Sequence, residues 1–294
     1  MRLDRSLSLF LGKLMPAEAG ENRTAPILMY HSVSYEGEEE RTLYYRTVTS
    51  PSIFEQQINY LCSAGYSAVT LEELALRIAS GSGLERCVAI TFDDGFQDFY
   101  QNAFTILEAH RFTATVFLPT AYIGRERRKF QDRPTLTWAE VRELSQYGIV
   151  FGSHTVTHPQ LWDLSGPAIE AELRQSKATI EQELGRAVNT FAYPFAFPET
   201  DTTFRNHLAE SLALAGYQYG VCTTVGRVDA SRSRLFMKRL PVNSADDIKL
   251  LEAKLNGAYD WIGRVQGYVK LAKKLWRGPG GARDSRLNEI HDGT

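Results

Sequence analysis

Short apolar runs alternate with amphipathic segments along most of the chain, and this alternation restricts the fold more than any other feature. The runs have the length of buried strands, and the segments between them have the 3.6-residue period of helices. The predicted strands cover residues 26–30, 67–70, 87–92, 113–118, 149–152, 189–192, 218–223 and 235–242. Strands separated by helices pair in parallel, and seven or eight such units close more readily as a barrel than as an open sheet. We therefore predict an α/β fold, a (β/α) barrel of about seven parallel strands.

The composition is that of a globular protein with a large apolar core. Of 294 residues, 43% are apolar and 23% charged, and the net charge of -2 gives no basis for nucleic-acid binding. Three cysteines without a CxxC pair favour free thiols over a structural zinc site. The apolar run from Leu7 to Leu11 is too short for a signal peptide, and no run of about 18 apolar residues could span a bilayer. We therefore expect a cytoplasmic protein.

Two polar motifs follow predicted strands, which is where a parallel barrel carries its chemistry. In the first, TFDDG, the strand runs directly into Asp93 and Asp94. Two buried carboxylates repel each other and lose hydration unless a cation or another partner compensates. In the second, SHTVTH, two histidines stand four residues apart at His154 and His158. On one turn of helix or in a tight loop, this spacing lets both rings face one ion.

One Asp and two His would leave coordination positions open on a metal ion, as catalysis requires. The second Asp could then accept a proton from water whose pKa the ion has lowered. Each motif alone has an ordinary alternative, because Asp-Asp-Gly is often only a turn and two His at this spacing often lie on a solvated helix face. Their joint occurrence, each after a strand, favours a catalytic metal site.

Both motifs resemble those of the polysaccharide deacetylases, the carbohydrate esterases of family four that share the NodB homology domain. TFDDG at 91–95 matches the family's first motif and SHTVTH at 153–158 its second, while PILMYHSV at 26–33 resembles many bacterial members. The resemblance covers roughly residues 26–242. It implies a deformed (β/α) barrel that hydrolyses an N-acetyl group from an amino sugar.

The resemblance also assigns roles to individual residues. It makes Asp93 the general base, and it makes Asp94, His154 and His158 the ligands of one divalent metal ion, commonly zinc. The ion would polarise the amide carbonyl and deliver the attacking water, and a backbone N–H would help to stabilise the oxyanion.

The third family motif, R-x-P-x-G, is only partly present. It aligns with residues 192–196, where the arginine that orients the catalytic Asp and the final glycine are both replaced. Pro194 and Phe195 remain, and the backbone N–H of Phe195 is the candidate oxyanion donor. Tyr193 and Pro194 are candidates for contacting the substrate. Arg239, in the last predicted strand, could contact the substrate or, alternatively, the catalytic Asp.

The family's last motif places a histidine after a late strand, as general acid for the leaving amine. Residues 238–242 of this chain contain no histidine. His31 ends the first predicted strand at the same barrel edge as Asp93. We therefore hypothesise that His31 supplies or supports the general acid. The alternative, a hydrogen-bonded core histidine, is equally open.

The pattern changes after the predicted barrel domain, residues 26–245, which follows an amphipathic lead-in at 1–25. Apolar residues recur at steps of three and four over 246–277, which predicts a long amphipathic helix. Its second half, 261–277, carries five basic and no acidic residues, typical of a helix that contacts an anionic membrane surface. The alternative is a helix packed on the barrel with a solvated basic face. Residues 278–294 have the composition of a disordered tail.

Three functions therefore compete. The first is removal of N-acetyl groups from an amino-sugar glycan or a lipid-linked glycan precursor. The second is another amide hydrolysis on the same scaffold, such as deformylation. The third is a catalytically weak glycan-binding barrel, since two motifs are incomplete. The intact base and metal positions favour an enzyme, because a binding module would not require them.

Overall fold

The apolar runs of the sequence form the strands of a parallel barrel. The computed structural model describes residues 3–14, 24–35, 47–230, 233–263 and 265. Its strands are β1 (Thr24–Ala25), β2 (Ile27–Tyr30), β3 (Ser32–Val33), β4 (Val48–Thr49), β5 (Ser67–Val69), β6 (Cys87–Phe92), β7 (Thr115–Leu118), β8 (Lys129–Phe130), β9 (Arg133–Pro134), β10 (Val150–Ser153), β11 (Thr190–Ala192), β12 (Tyr219–Val225), β13 (Val228–Asp229) and β14 (Met237–Pro241). Each of the eight predicted strands is present.

Seven strands close the barrel in the order β2-β14-β12-β11-β10-β7-β6, and β6 pairs back with β2. β5 pairs in parallel with the first half of β6. Every pairing within the barrel is parallel. The carboxyl ends of the strands therefore meet at one edge, and the predicted barrel of seven strands is confirmed.

Helices cover the outside of the barrel. They are α1 (Leu3–Leu14), α2 (Pro51–Ser63), α3 (Leu71–Ser80), α4 (Phe104–Ala109), α5 (Trp138–Gln146), α6 (Gly166–Leu184), α7 (Thr202–Leu214) and α8 (Ile248–Leu255). At the start of α5, Thr137 and Glu140 form a reciprocal capping box, which satisfies two backbone N–H groups that the helix leaves unpaired. None of the described helices is long and apolar enough to cross a bilayer.

Side-chain alternation along β6 divides the core into two layers. Val88, Ile90 and Phe92 pack outward under the helices, whereas Cys87 and Ala89 pack in the barrel interior. All six residues of the strand are buried, as expected of a parallel strand covered on both faces. The same two-residue period places the next odd-numbered side chain, Asp93, toward the barrel interior.

The helix predicted over 246–277 is wrong as a continuous element. α8 ends at Leu255, and Gly257 has a left-handed φ of 86° that a helix interior does not contain. The Arg227 guanidinium packs against this glycine and pairs with Asp260 at 3.1 Å, which fixes the turn. The buried side chains of α8 show that this part packs on the barrel. Most of the basic half of the predicted helix and the predicted tail lie outside the described residues.

The N-terminal helix α1 packs on this C-terminal segment. Tyr259 donates a hydrogen bond to the Asp4 carboxylate at 2.8 Å, and the Trp261 indole donates to Ser8 at 3.0 Å. Arg5 forms an ion pair with Asp247 at the start of α8. The lead-in predicted at 1–25 thus contains a helix that belongs to the outer layer of the fold.

Candidate active site and metal centre

Polar side chains gather at the carboxyl edge of the barrel, immediately after three of its strands. Asp93 and Asp94 follow β6, His154 follows β10, and His31 follows β2. Asp93, Asp94 and His154 are buried, whereas His31 is partly exposed. The placement agrees with the rule that catalytic groups lie where barrel strands end.

Asp94, His154 and His158 form the set that could hold a metal ion. Each offers one ligand atom, and these atoms all lie within 4.8 Å of one another. Asp94 Oδ1 lies 3.7 Å from His154 Nε2 and 3.5 Å from His158 Nε2. The structure thus brings together the three residues expected to bind the metal.

Burial and hydrogen bonding prepare the two histidines as neutral ligands. His154 Nδ1 lies 2.8 Å from the Ala192 carbonyl, so this nitrogen carries the proton and Nε2 keeps its lone pair toward Asp94. Burial lowers the pKa of His154. Burial, together with the neighbouring His154, also lowers the pKa of His158 to about 2. Both rings are therefore uncharged at neutral pH, as metal binding requires.

The environment of the Asp94 carboxyl group favours the binding of a cation. Burial first, and then the adjacent Asp93 carboxylate, raise the pKa of Asp94 to about 8. A divalent ion would offset both effects, because it favours the ionised carboxylate. Two imidazoles and one carboxylate also match the donors of catalytic sites for divalent transition metals. The residues present therefore fit a divalent metal ion.

The backbone around this set is held in unusual conformations. Asp94, Thr155, His158 and Phe195 all have left-handed φ values, 71°, 68°, 56° and 56°. Non-glycine residues rarely adopt such angles, and they cluster at functional sites where the surroundings enforce them. The two histidines lie on a loop rather than on a helical turn.

The loop that carries both histidines is fixed by Glu172 of α6, a residue that the sequence did not single out. The Glu172 carboxylate accepts from the backbone N–H of Val156 at 2.7 Å and of Thr157 at 3.0 Å, and from the Thr157 hydroxyl at 2.7 Å. The His158 N–H donates to the Thr155 hydroxyl at 3.0 Å. This second layer of hydrogen bonds orients the ligands.

Asp93 is paired with Arg239, which reaches it from β14. Arg239 Nη1 donates to Oδ1 at 2.6 Å and Nη2 donates to Oδ2 at 2.7 Å. Arg239 also donates to the Cys222 carbonyl at 3.2 Å and to the Thr91 hydroxyl at 3.2 Å. Burial alone would raise the pKa of Asp93, but Arg239 and the nearby histidines hold it well below the usual range of a carboxyl group.

This pairing supports one of the two roles considered for Arg239, the contact with the catalytic Asp. The residue is 1% exposed, and a direct contact with the substrate stays a prediction. Arg239 occupies the role of the arginine that is absent from the third motif. A signal for this was present in the sequence, because an arginine between Lys238 and Leu240 of a buried strand needs an acidic partner.

His31 lies beside the base. Its Nε2 is 3.9 Å from Asp93 Oδ2, longer than a hydrogen bond, and 21% of its side chain is accessible. The ring therefore faces the site and is open to a ligand. This position is compatible with the proposed general acid.

The remaining candidate residues, Tyr193, Pro194 and Phe195, follow β11. The first two pack in the core, and the third lies at the site. Tyr193 is 2% exposed and packs against Phe197 and Phe204, and Pro194 is buried. Both residues are thus part of the core beside the site, and their contacts with the substrate stay predictions. The Phe195 ring lies 4.6 Å from His158, and its carbonyl accepts from the Thr223 hydroxyl at 2.9 Å. Phe195 thus lies at the site, as predicted.

A parallel barrel with a buried Asp-His-His set beside a charge-paired carboxylate defines a hydrolase of the divalent-metal class. A sequence model of the family described as polysaccharide deacetylase matches residues 80–220. Protein YxkH of Bacillus subtilis (strain 168), named for the same family, is 29% identical over 219 residues, 74% of this chain and 71% of that protein.

Two further comparisons agree with this match. The poly-beta-1,6-N-acetyl-D-glucosamine N-deacetylase of Staphylococcus aureus (strain MSSA476) is 26% identical over 203 residues, 66% of this chain and 67% of that protein. The structure of the Streptococcus pyogenes deacetylase PplD in complex with acetate is 27% identical, with a TM-score of 0.69 over 79% of this chain and 98% of that one. The chain belongs to the polysaccharide deacetylase family.

Proposed function

We propose that this protein is an N-deacetylase that hydrolyses the acetamido group of amino sugars in a glycan. The proposal rests mainly on the position of Asp93, which lies directly beside the buried set of Asp94, His154 and His158. Arg239 keeps Asp93 in its carboxylate form. Family membership and the named activities of the Staphylococcus aureus and Streptococcus pyogenes relatives support the proposal.

Asp94, His154 and His158 would hold the metal, which when bound supplies Lewis-acid polarisation of an amide carbonyl and water of lowered pKa. We propose zinc, because imidazole and carboxylate donors in a set with open positions suit it. Elemental analysis of protein purified without added metal tests the identity of the ion.

Asp93 acts as the base and accepts the proton of the attacking water at a carboxylate oxygen. Arg239 keeps that carboxylate ionised and fixes its orientation through two hydrogen bonds. Negative charge that develops on the amide oxygen can be stabilised by the backbone N–H of Phe195, a residue in the left-handed conformation.

His31 is the proposed acid. When the amide C–N bond breaks, the leaving amine takes a proton from His31 Nε2, which lies next to Asp93 Oδ2. The products are acetate and the free amino sugar, and transfer of the proton from Asp93 to the neighbouring His31 returns both groups to their starting states.

The test is acetate release from β-1,6-linked N-acetylglucosamine oligomers by the metal-loaded protein. Asp93→Asn should abolish it, whereas Glu108→Gln, on the exposed face of α4, should not. Matched N-formyl oligomers test the alternative, because preferential formate release would make the protein a deformylase. Glycan binding without release of either acid, by protein with stoichiometric metal, would favour the glycan-binding barrel.

Contact with an anionic membrane surface is a second proposal, and α1 adds to its support. Leu7 and Phe10, one helical turn apart, are 42% and 59% exposed, and Val265 at the other end of the chain is 45% exposed. Basic residues follow in the sequence at 270–277. Equal co-sedimentation with anionic and neutral vesicles would contradict the proposal, as would unchanged binding by the Leu7→Ser/Phe10→Ser variant. The expected cytoplasmic location stays a prediction that cell fractionation tests.

A further inference from the structure

A two-stranded hairpin borders the candidate active site. β8 and β9 pair antiparallel, with Lys129 opposite Pro134 and Phe130 opposite Arg133. The two turn residues, Gln131 and Asp132, have left-handed φ values of 49° and 59°, as in the tight turns that suit the twist of a hairpin. We call residues 125–134 the basic hairpin.

The basic hairpin is attached to the segment that directly follows the metal ligand Asp94. The Leu136 N–H donates to the Gly95 carbonyl at 2.8 Å, and the Gln97 N–H donates to the Pro134 carbonyl at 2.9 Å. Phe130 is 7% exposed, and its ring lies 5.0 Å from that of His158. The hairpin is therefore a fixed wall of the site.

This wall carries a local excess of positive charge. Its sequence, RERRKFQDRP, contains five basic and two acidic residues, whereas the whole chain has a net charge of -2. Arg127 is neutralised by two hydrogen bonds to Glu140, at 2.9 and 2.8 Å. Arg128 donates to the Ala121 carbonyl, a neutral acceptor, so this bond does not compensate its charge. Arg125 and Lys129 are exposed.

Arg133 brings this charge to the inner face of the hairpin. As the cross-strand partner of Phe130, it shares the face that Phe130 presents to His158. Its guanidinium lies 5.2 Å from the centre of the Phe96 ring.

We infer that the basic hairpin binds an anionic group of the substrate, a phosphate or a carboxylate carried by the glycan next to the acetylated sugar. The inference rests on the proposed deacetylase function and specifies its substrate class. Guanidinium groups bind such oxyanions through paired, charge-assisted hydrogen bonds. A neutral N-acetylated glycan would gain only ordinary hydrogen bonds from these groups, whereas an anionic one would also be attracted to the site and oriented in it by the charge.

Three disaccharides of N-acetylglucosamine test the inference: one neutral, one with a 1-phosphate and one with a neighbouring glucuronate. Wild-type protein should show a higher kcat/KM for at least one anionic disaccharide, through KM, and this preference should shrink as sodium chloride rises from about 50 to 500 mM. The Lys129→Gln/Arg133→Gln variant should lower the anionic-to-neutral ratio roughly tenfold. Arg174→Gln, an exposed change on α6, should leave it unchanged.

Calorimetric titration of the same disaccharides separates binding from hydrolysis. Hairpin-dependent binding of an anionic disaccharide, without acetate release from any substrate, would uphold the inference and contradict the deacetylase function. Acetate release with equal kcat/KM for all three disaccharides would overturn the inference and leave the function intact. An anionic preference that survives in Lys129→Gln/Arg133→Gln would also overturn it. The phosphate and glucuronate arms show which oxyanion is bound.

Discussion

The guanidinium of Arg239 meets the Asp93 carboxylate through two hydrogen bonds of 2.6 and 2.7 Å, although the residues lie 146 positions apart in the sequence. Asp93 follows β6 and Arg239 lies within β14, with β2 between these strands in the barrel. Both side chains point into the interior by the alternation of their strands. In the third family motif an arginine on β11 orients the catalytic Asp. In this chain Arg239, on β14, takes that role.

Replacing Arg239 by Met should lower the rate of acetate release by about a hundredfold or more. Without the guanidinium, burial is no longer offset, so the pKa of Asp93 rises. Because only the carboxylate accepts a proton, the acid limb of the pH-rate profile should move to higher pH. Unfolding should become easier by about 3–5 kcal/mol, since a buried charge loses its partner. The pH-rate profile and chemical denaturation measure these effects.

A double variant separates the loss of the ion pair between Arg239 and Asp93 from a general loss of stability. Ala192, at the position of the motif arginine, lies in the barrel interior. The double variant Ala192→Arg/Arg239→Met should regain part of the activity and return the acid limb toward its original pH. Restored stability with an acid limb that stays at the higher pH would show that the arginine only fills space.

The sequence predicted most of the fold because the apolar periodicity of each strand is local. It also predicted the metal set, because each motif stands directly at a strand end. The partner of Asp93 was left open because ion pairing across the barrel depends on strand order, which the sequence does not state. The C-terminal helix is predicted too long because its apolar spacing continues past Leu255, whereas the left-handed conformation of Gly257 ends the helix.

Asp94 should make the metal-free protein less stable as the pH rises. Its pKa in the folded protein is about 8, whereas the pKa of an aspartate in the unfolded chain is about 3.9. Between these values the folded state holds a proton that the unfolded state has released, so stability present below about pH 4 is lost as the pH approaches 8. In the presence of a chelator, the Tm of wild type relative to that of Asp94→Asn should therefore fall as the pH rises through this range.

Added zinc should reverse this trend, because the ion binds the ionised carboxylate and neutral imidazoles. The Tm of wild-type protein should then rise with zinc concentration, and more so at pH 8 than at about pH 5. Asp94→Asn should show a much smaller rise. A difference in Tm between wild type and Asp94→Asn that is constant with pH would contradict the account of Asp94.

Glu172→Gln should weaken metal binding by about 10- to 100-fold without touching a ligand. The carboxylate accepts three hydrogen bonds from the loop that carries His154 and His158, and a neutral amide accepts them less strongly. Competition titration against a chromogenic chelator measures the affinity. Glu170→Gln, an exposed change on the same helix, is the control. Equal zinc affinity in Glu172→Gln and wild type would show that the loop is positioned without this carboxylate.

His31→Asn should reduce kcat by about a hundred- to a thousandfold, because the leaving amine then lacks its proton donor. Substrate amides with better leaving groups, such as N-acetyl anilides, need less protonation and should lose much less activity. If His31 only packs against Asp93, both kinds of substrate should be affected alike. The ratio of kcat/KM for an amino sugar to that for an anilide, compared between His31→Asn and wild type, therefore separates an acid from a packing residue. The His31 Nε2 lies 3.9 Å from Asp93 Oδ2 and the side chain is 21% accessible, so the ring is next to the base and within reach of a bound substrate.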